Sequence, residues 1–522
     1  MYVSASQIPS GSVLKGFDIC IAGAGAAGIA MAHRLIGSSK RVLVLANGSP
    51  TDAGQPNPTL EEIYGGTLGA FTKKVDPIFL TRSRLNMYGG TTNHFDFYAH
   101  PMDEADLAPR PGYRDACWPI SIDELNRYYP DANRFGGYGP FNYRDVRMWA
   151  KALHGSPFPS LDTDSLTSLI WHGQSSPAIL QFQTQCGPAL QAARNVTVLF
   201  NAFALQVQTK GGNRQTVSGL DCATMSSGSL GITFRVEAAK YILALGGIEP
   251  VRLLKISGNL GDNRKGLLGR GFMLHSLITN AAEITFPKPV NQGHQNFYRS
   301  QPVTVTTPSP PEASRPAKAL LPDDLPSSYT MSTWGMLAAK PEVLAREKIG
   351  GFHSNVVFVN DKTVNLSMNW ESVPHENSRI TLDKAQTDPV FRQPVVKVDW
   401  RLGETEKRTI IRALELAKEY FQSPARAAAD FKVTTDLSGG PTHWTFSPNQ
   451  SNPSGLQAGD HHMGALRMSK EPEDGIVNVD CRLHTVDNLY IAGSAVYPTS
   501  GHANPTLTIL ALALRLADHV GQ

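Results

Sequence analysis

The apolar positions fall into two kinds of pattern, and the change from one to the other marks out the organisation of the chain. "FDICIAGAGAAGIAMAHRLIGSSKRVLVLANG" at 17–48 begins with a short apolar run, passes through glycines into a helical spacing, and ends in a second apolar run. This order predicts strand, turn, helix, strand, the first βαβ unit of a dinucleotide-binding sheet. From 60 to 150 the pattern is irregular and rich in Gly, Tyr and Pro. One helix is predicted there, at "SIDELNRYYPDANRF" (121–135), with Ser121 as cap and Glu124 closing a capping box. Strands return at "VTVLFNAFALQVQT" and "ITFRVEAAKYILALGG", the second leading into a helix at "EPVRLLKIS", as in a later unit of the same sheet. The Pro- and Ser-dense segment 286–335 predicts a long loop or lid.

Beyond it the period shortens to two. "NVVFVN", "TVNLSMNW", "SRITLD" and "PVVKVDW" predict an antiparallel sheet and hence a second domain. An amphipathic helix is predicted at "ETEKRTIIRALELAKEYF", with Ile410, Leu414, Ala417 and Phe421 on one face. The fold class is α/β (α+β overall), a Rossmann-like domain from 1–105, 180–285 and 455–522 interleaved with a substrate domain from 106–179 and 286–454. No internal repeat is visible.

Composition narrows the classes of function. A chain of 522 residues has material for a large core and is too long for a small binding module. Lys plus Arg number 48 and Asp plus Glu 45, a balance that argues against a nucleic-acid or anionic-membrane partner. The five cysteines, Cys20, Cys117, Cys186, Cys222 and Cys481, show no CxxC spacing. They suit free thiols in a reducing compartment and imply neither a disulfide framework nor a metal site. The N-terminal stretch lacks the pattern of an export signal, so the cytoplasm is the expected compartment. No window reaches the roughly 20 apolar residues of a membrane span, since "LTILALALRLADHV" is broken by Arg515 and Asp518.

Gly23, Gly25 and Gly28 form GxGxxG between strand and helix, with Ala26 and Ala27 opening the helix. The first glycine permits the tight turn, the second lets backbone approach a pyrophosphate, and the third lets helix and strand pack closely. A ribose-binding carboxylate is expected at the end of the next strand. Ala46 and Asn47 stand there instead, leaving Asn47 to bond the ribose hydroxyl.

Several stretches resemble the glucose-methanol-choline (GMC) oxidoreductases: "GAGAAG" at 23–28, "YGGTTNHF" at 88–95, "WPISIDEL" at 118–125, "ALGGIEPVRLL" at 244–254, "LGRGFMLH" at 268–275, "ENSRITL" at 376–382, "GDHHMGALRM" at 459–468 and "SGHANPTLT" at 500–508. The stretches after 88 and 502 are most similar to the branch holding pyranose oxidases and bacterial sugar and glycoside 3-dehydrogenases or 3-oxidases. The resemblance implies FAD as cofactor and oxidation of an alcohol to a carbonyl, with a sugar or glycoside as substrate. It implies His461 as the proton acceptor and Asn504 as the residue that orients the substrate hydroxyl. A neutral imidazole suits proton removal near pH 7. It leaves His462 and His502 as structural contacts. Asn504 also reads as an N-cap before Pro505 at the first helical position. That helix would direct its positive end at the flavin pyrimidine.

Gly89, Gly90, Thr91 and Asn93 are implied in cofactor binding, as are Gly493, Ser494, Pro505 and Thr506. In some relatives a histidine at the spacing of His94 is joined to the flavin 8α-methyl, and in others with a similar motif FAD is held without a bond. Both stay open here. So do oxygen, a quinone or a redox protein as electron acceptor, a non-sugar alcohol, a lyase on the same scaffold, and a non-catalytic flavoprotein subunit. His443, Trp444 and Gln457 are candidate substrate contacts by position.

Overall fold

The computed structural model describes residues 1–50, 66–70, 73–74, 79–94, 98–110, 113, 116–158, 165–174, 182–212, 214–306, 328–435 and 456–522. His443, Trp444 and the middle of the expected lid lie outside them.

A parallel sheet forms the first layer. Its strands are Tyr2–Ser4, Val196–Phe200, Val42–Ala46, Val13–Ala22, Ser229–Leu243 and Leu489–Ile491, side by side in that order. Val42–Ala46 is buried along its whole length, which is why its sequence is a continuous apolar run without alternation. The first half of the long strand Ser229–Leu243 bends into an antiparallel meander with Gln215–Ser226 and Phe203–Gly211. The GxGxxG helix, Ala26–Arg34, packs against the C-terminal helix Thr506–Gly521. Sequence segments from both ends of the chain thereby build one nucleotide-type domain.

The tight geometry of that unit depends on two glycines. Gly23 has φ of 107°, in the left-handed region, and a Cβ there would meet the Ala244 carbonyl oxygen at 2.3 Å. A Cβ on Gly28 would come within 1.9 Å of the Gly23 carbonyl oxygen, so helix and turn are in backbone contact.

The second layer is a large, mainly antiparallel sheet. It runs Asp430–Val433, Ser276–Thr285, Thr363–Trp370, Phe352–Phe358, Ser328–Ala339, Leu166–Gln174, Tyr98–Ala99. Gln301–Thr306 adds to Ser328–Ala339, and Leu456–Ala458 to Ser276–Thr285. Helix Glu404–Gln422 covers part of this layer and buries Ile410, Leu414, Ala417 and Phe421, the face its spacing predicts.

Four expectations change. Arg379–Thr387 and Pro394–Trp400 leave the large sheet and form a separate one with Gly66–Ala70 and Lys73–Lys74, one pairing being parallel. Period-two alternation gives each strand a face but says nothing about its partner. The segment 286–335 is not all loop: Gln292–Tyr298 is helical, and 301–306 with 328–335 form a ladder, because alternating β-branched residues outweigh the Pro and Ser content. Ser276–Thr285, grouped by sequence with the nucleotide domain, pairs in the second sheet. The helix at 121–135 is two helices, Ile122–Asn126 and Tyr129–Phe135, with Pro130 in the first turn of the second. Ser121 does cap, accepting from the Glu124 N–H at 3.2 Å, but the Glu124 carboxylate bonds Arg515 at 2.6 Å instead of closing a box.

Cys20, Cys186, Cys222 and Cys481 are buried free thiols and Cys117 is partly exposed. Among the described residues no helix is long and apolar enough to cross a membrane.

Gly28→Ala should cost about 1–3 kcal/mol, the usual range for overpacking. Gly25→Ala should leave stability near wild type, because its Cβ would find only the Gly90 Cα at 4.0 Å. Thermal denaturation of the two variants measures the difference, and equal melting temperatures would contradict it.

Candidate active site

A cavity of about 510 Å³ lies between the two layers. That is within the usual range for ligand sites. One end is formed by Gly23–Ala27, Asn47 and the loop of Gly90 and Thr91, the other by His461, Asn504, Pro505 and Thr506. Gly493, Ser494 and His94 also line it. The two residues expected to do chemistry therefore line one cavity, although 43 positions separate them in sequence.

The glycine end is locked by backbone contacts. The Gly89 N–H donates to Ala24 O at 2.8 Å, tying the second loop to the GxGxxG turn. Gly89 and Asn93 themselves do not line the cavity. Asn93 is buried, its amide donating to Tyr88 O at 3.0 Å and Gly90 O at 2.8 Å, so it shapes the loop from behind. Gly28 likewise sits in the helix–strand contact and off the cavity surface. Asn47 lies at the end of its strand and donates to the Asn86 side-chain oxygen, which leaves the Asn47 oxygen able to accept. His94 is exposed at the cavity margin.

The histidine end is built by an antiparallel run between 459–463 and 273–275. Gly459 N–H donates to His275 O at 2.8 Å, and Met273 and Met463 exchange both backbone bonds. The His461 and His275 rings meet Nδ1 to Nδ1 at 2.9 Å, and His275 Nε2 lies 2.8 Å from the Gly501 carbonyl oxygen. His462 also lines the cavity, its Nε2 3.2 Å from Ser83 Oγ and its ring packed against Phe79 and Phe272. His502 is buried against His353, with Nδ1 atoms 3.2 Å apart.

The final helix starts at Thr506 with Pro505 as its cap residue, and no side chain bonds its end. Asn504 is thus one residue outside the helix and is not its N-cap, because Pro505 already fixes the backbone at the capping position. Among the described residues no group holds its amide.

Sequence reasoning passed over most of the roof. Gln457, Leu277, Asn369 and His353 stand opposite one another on four neighbouring strands, and all four line the cavity. Asn355 and Trp171 line it too. Of this group only Gln457 was a candidate. Nothing in a single strand reveals the others, since alternation marks an inward face without saying that the face borders a cavity.

Burial dominates the electrostatics. It holds His275 and His100 down to about 4 and His172 and His462 to about 3, all from an ordinary 6.5. His461 is also pushed well below its ordinary value, by burial first and then by His275 and His462. The imidazoles are neutral at pH 7.

The two-layer fold and this cavity suit a dinucleotide-binding protein. Residues 374–513 match the GMC oxidoreductase family. The chain is 23% identical to the fructose dehydrogenase large subunit of Gluconobacter japonicus, over 96% of this chain and 97% of that one. It is 24% identical to paromamine 6'-oxidase of Streptomyces fradiae, over 97% and 91%. A solved formate oxidase variant from Aspergillus oryzae, described for its FAD modification, superposes with a TM-score of 0.57 at 16% identity, over 98% of this chain and 99% of that one. Residues 374–513 are thus similar to the GMC oxidoreductases, a family of FAD-dependent enzymes that act on CH–OH groups, and the relatives matched along the whole chain are oxidoreductases. The cavity fits that cofactor: a glycine cradle at a helix N-terminus suits the pyrophosphate, and Asn47 suits the ribose.

The depressed histidines carry a stability signature. The unfolded chain takes up protons at these sites as pH falls through 6.5, whereas the folded chain resists until about 4. Unfolding therefore binds protons in this window, and stability is lost as pH falls from 6.5 towards 4. Each such histidine should steepen the loss by up to about 1.4 kcal/mol per pH unit. Melting temperatures taken between pH 7.5 and 4.5 should drop sharply below 6.5, and a flat profile would contradict burial as the cause.

Proposed function

We propose that the protein oxidises a secondary hydroxyl of a sugar or glycoside to the ketone, with His461 as proton acceptor and Asn504 as the group that orients the hydroxyl. The observation that carries this reading is that His461 and Asn504 line the same cavity as the glycine cradle.

FAD would be held by the glycine cradle and would supply the acceptor for the hydride leaving the carbinol carbon. The neutral His461 ring takes the hydroxyl proton, and the cavity's burial keeps it neutral and ready to do so. The Asn504 amide can donate to the hydroxyl oxygen, which leaves its O–H directed at the bare His461 nitrogen. The N-terminus of helix Thr506–Gly521 contributes positive potential at this end. A small side cavity of about 50 Å³ shares Gly23 and Asn47 with the main one, where Asn47 would hold the ribose.

The roof supports a polyhydroxylated substrate. Three amides, Gln457, Asn369 and Asn355, together with His353, present donors and acceptors along a row of strands spaced at about 4.8 Å. Trp171 offers an apolar ring face beside them. Gln457 Nε2 and the Trp171 indole N–H are buried with no protein partner among the described residues, donors that gain one when a hydroxyl-rich ligand enters. The relatives named for fructose and for paromamine, both sugars or sugar derivatives, agree with this choice.

His461→Ala should slow anaerobic bleaching of the flavin by substrate by about 100- to 10,000-fold with FAD content unchanged. Bleaching at wild-type speed would remove His461 from the chemistry. Asn504→Ser should keep the melting temperature and lose rate, since the helix is capped without Asn504. For His94, precipitation in acid separates the two forms of attachment: yellow colour in the pellet means a covalent bond, colour in the supernatant means none.

A further inference from the structure

The proton-accepting ring must present a bare nitrogen to the substrate, and a neutral imidazole has two ways of placing its single proton. Only one of them leaves Nε2 free. The bonding behind His461 decides between them.

The Gly501 carbonyl oxygen can only accept, so at 2.8 Å the His275 Nε2 must carry the proton. A neutral His275 then has a bare Nδ1. The Nδ1–Nδ1 contact of 2.9 Å between the rings needs one proton, and it must belong to His461. His461 is thereby the Nδ1–H tautomer, with Nε2 unprotonated. Among the described residues nothing bonds that Nε2, and His461 borders the cavity.

We propose that His275 is the positioning residue that fixes the tautomer and ring orientation of His461. This rests on His461 being the proton acceptor. When the substrate O–H bond breaks, its proton goes to His461 Nε2 and its electron pair stays on oxygen. The His461 Nδ1–H remains donated to His275, which as an acceptor favours the imidazolium so formed, and the His275 Nε2–H remains on Gly501 O. Burial supports the assignment, since it keeps His275 neutral at pH 7 with a pKa near 4. The anchor is itself fixed: the Gly501 N–H donates at 3.2 Å to Glu371, whose carboxylate is paired with Arg110. His275 is 3% exposed and touches the cavity only through His461, so it would not contact substrate.

His275→Leu removes the acceptor. His275→Asn restores one, because the Asn oxygen falls near the Nδ1 position. The expected result is a rate of flavin reduction by substrate that falls by about 10- to 100-fold in His275→Leu, the span for losing an orienting partner. His275→Asn should recover most of it, and His461→Ala/His275→Leu should be no slower than His461→Ala alone. Independently of turnover, ¹⁵N-histidine spectra assigned by difference against His461→Ala should show His461 protonated at Nδ1 in the wild type and shifted towards Nε2 in His275→Leu. Wild-type reduction by His275→Leu, with His461→Ala slow, would overturn the positioning role and leave the base standing. Fast reduction by His461→Ala would overturn the base, and the spectra would still decide the tautomer. Should His275→Leu fail to fold, the spectrum of His275→Asn serves: an unchanged Nδ1–H signal supports the assignment and an Nε2–H signal in the wild type refutes it.

Discussion

A carboxylate with no exposure to solvent is costly unless it is paired and fully bonded, and Glu371 is such a group. Burial alone would raise its pKa, but the Arg110 guanidinium on both its oxygens and the Gly351 N–H hold it below the ordinary carboxylate range. The same carboxylate accepts from Gly501 N–H. The ion pair thus ties together four parts of the chain, at 110, 351, 371 and 501, and the turn before the final helix cannot shift without taking a hydrogen bond from a buried carboxylate. Removing one member of such a pair typically costs about 3–5 kcal/mol.

From that fixed turn the rest of the histidine end follows. Gly501 O receives the His275 Nε2–H, and Ser500 Oγ joins the same turn to Ser372 through bonds of 3.0 and 2.9 Å. His275 stands at the start of Ser276–Thr285, a strand of the second sheet, while the turn belongs to the C-terminal helix of the first layer. The site is therefore assembled at the seam between layers, where strands supply side chains for the roof and helix ends supply backbone dipoles. A cavity at such a seam needs rigid walls on both sides, which the Gly459–His275 and Met463–Met273 backbone pairings provide.

The parts of this legible in sequence are those encoded locally. GxGxxG announces its strand, turn and helix within a dozen positions, and "HHMGALRM" and "HANPTLT" carry residues that line one cavity. The amphipathic helix with Ile410 and Phe421 is equally plain. Asn93 shows the limit of such reading: its motif is local, but whether its amide faces a ligand or the loop's own carbonyls depends on where Gln183 lies, ninety positions later. His275 was inside a quoted stretch, yet its meaning comes from two tertiary contacts, to His461 and to Gly501. Gln457, Asn369 and His353 form a row only through strand register, which alternation cannot supply. The separation of Pro394–Trp400 from the large sheet is hidden for the same reason.

The placing of charge follows one rule across the site. Full charges near the cradle are matched off the reacting end: Arg84 with Glu249 at 2.7 Å, and Arg252 with Asp388 at 2.8 Å. The groups that act on the His461 ring are the imidazoles of His275 and His462, while Asp460, which also lines the cavity, is set against Arg82 and His94. In a low-dielectric cavity an unmatched arginine beside the base would oppose the imidazolium that proton removal creates, and a carboxylate would raise the base's pKa until it held its proton at rest. Neutral dipoles avoid both. They leave the base deprotonated at pH 7 and still able to share its positive charge with His275 once it forms, which requires that the acceptor behind it be an uncharged ring held by a backbone carbonyl, the arrangement at His275 and Gly501.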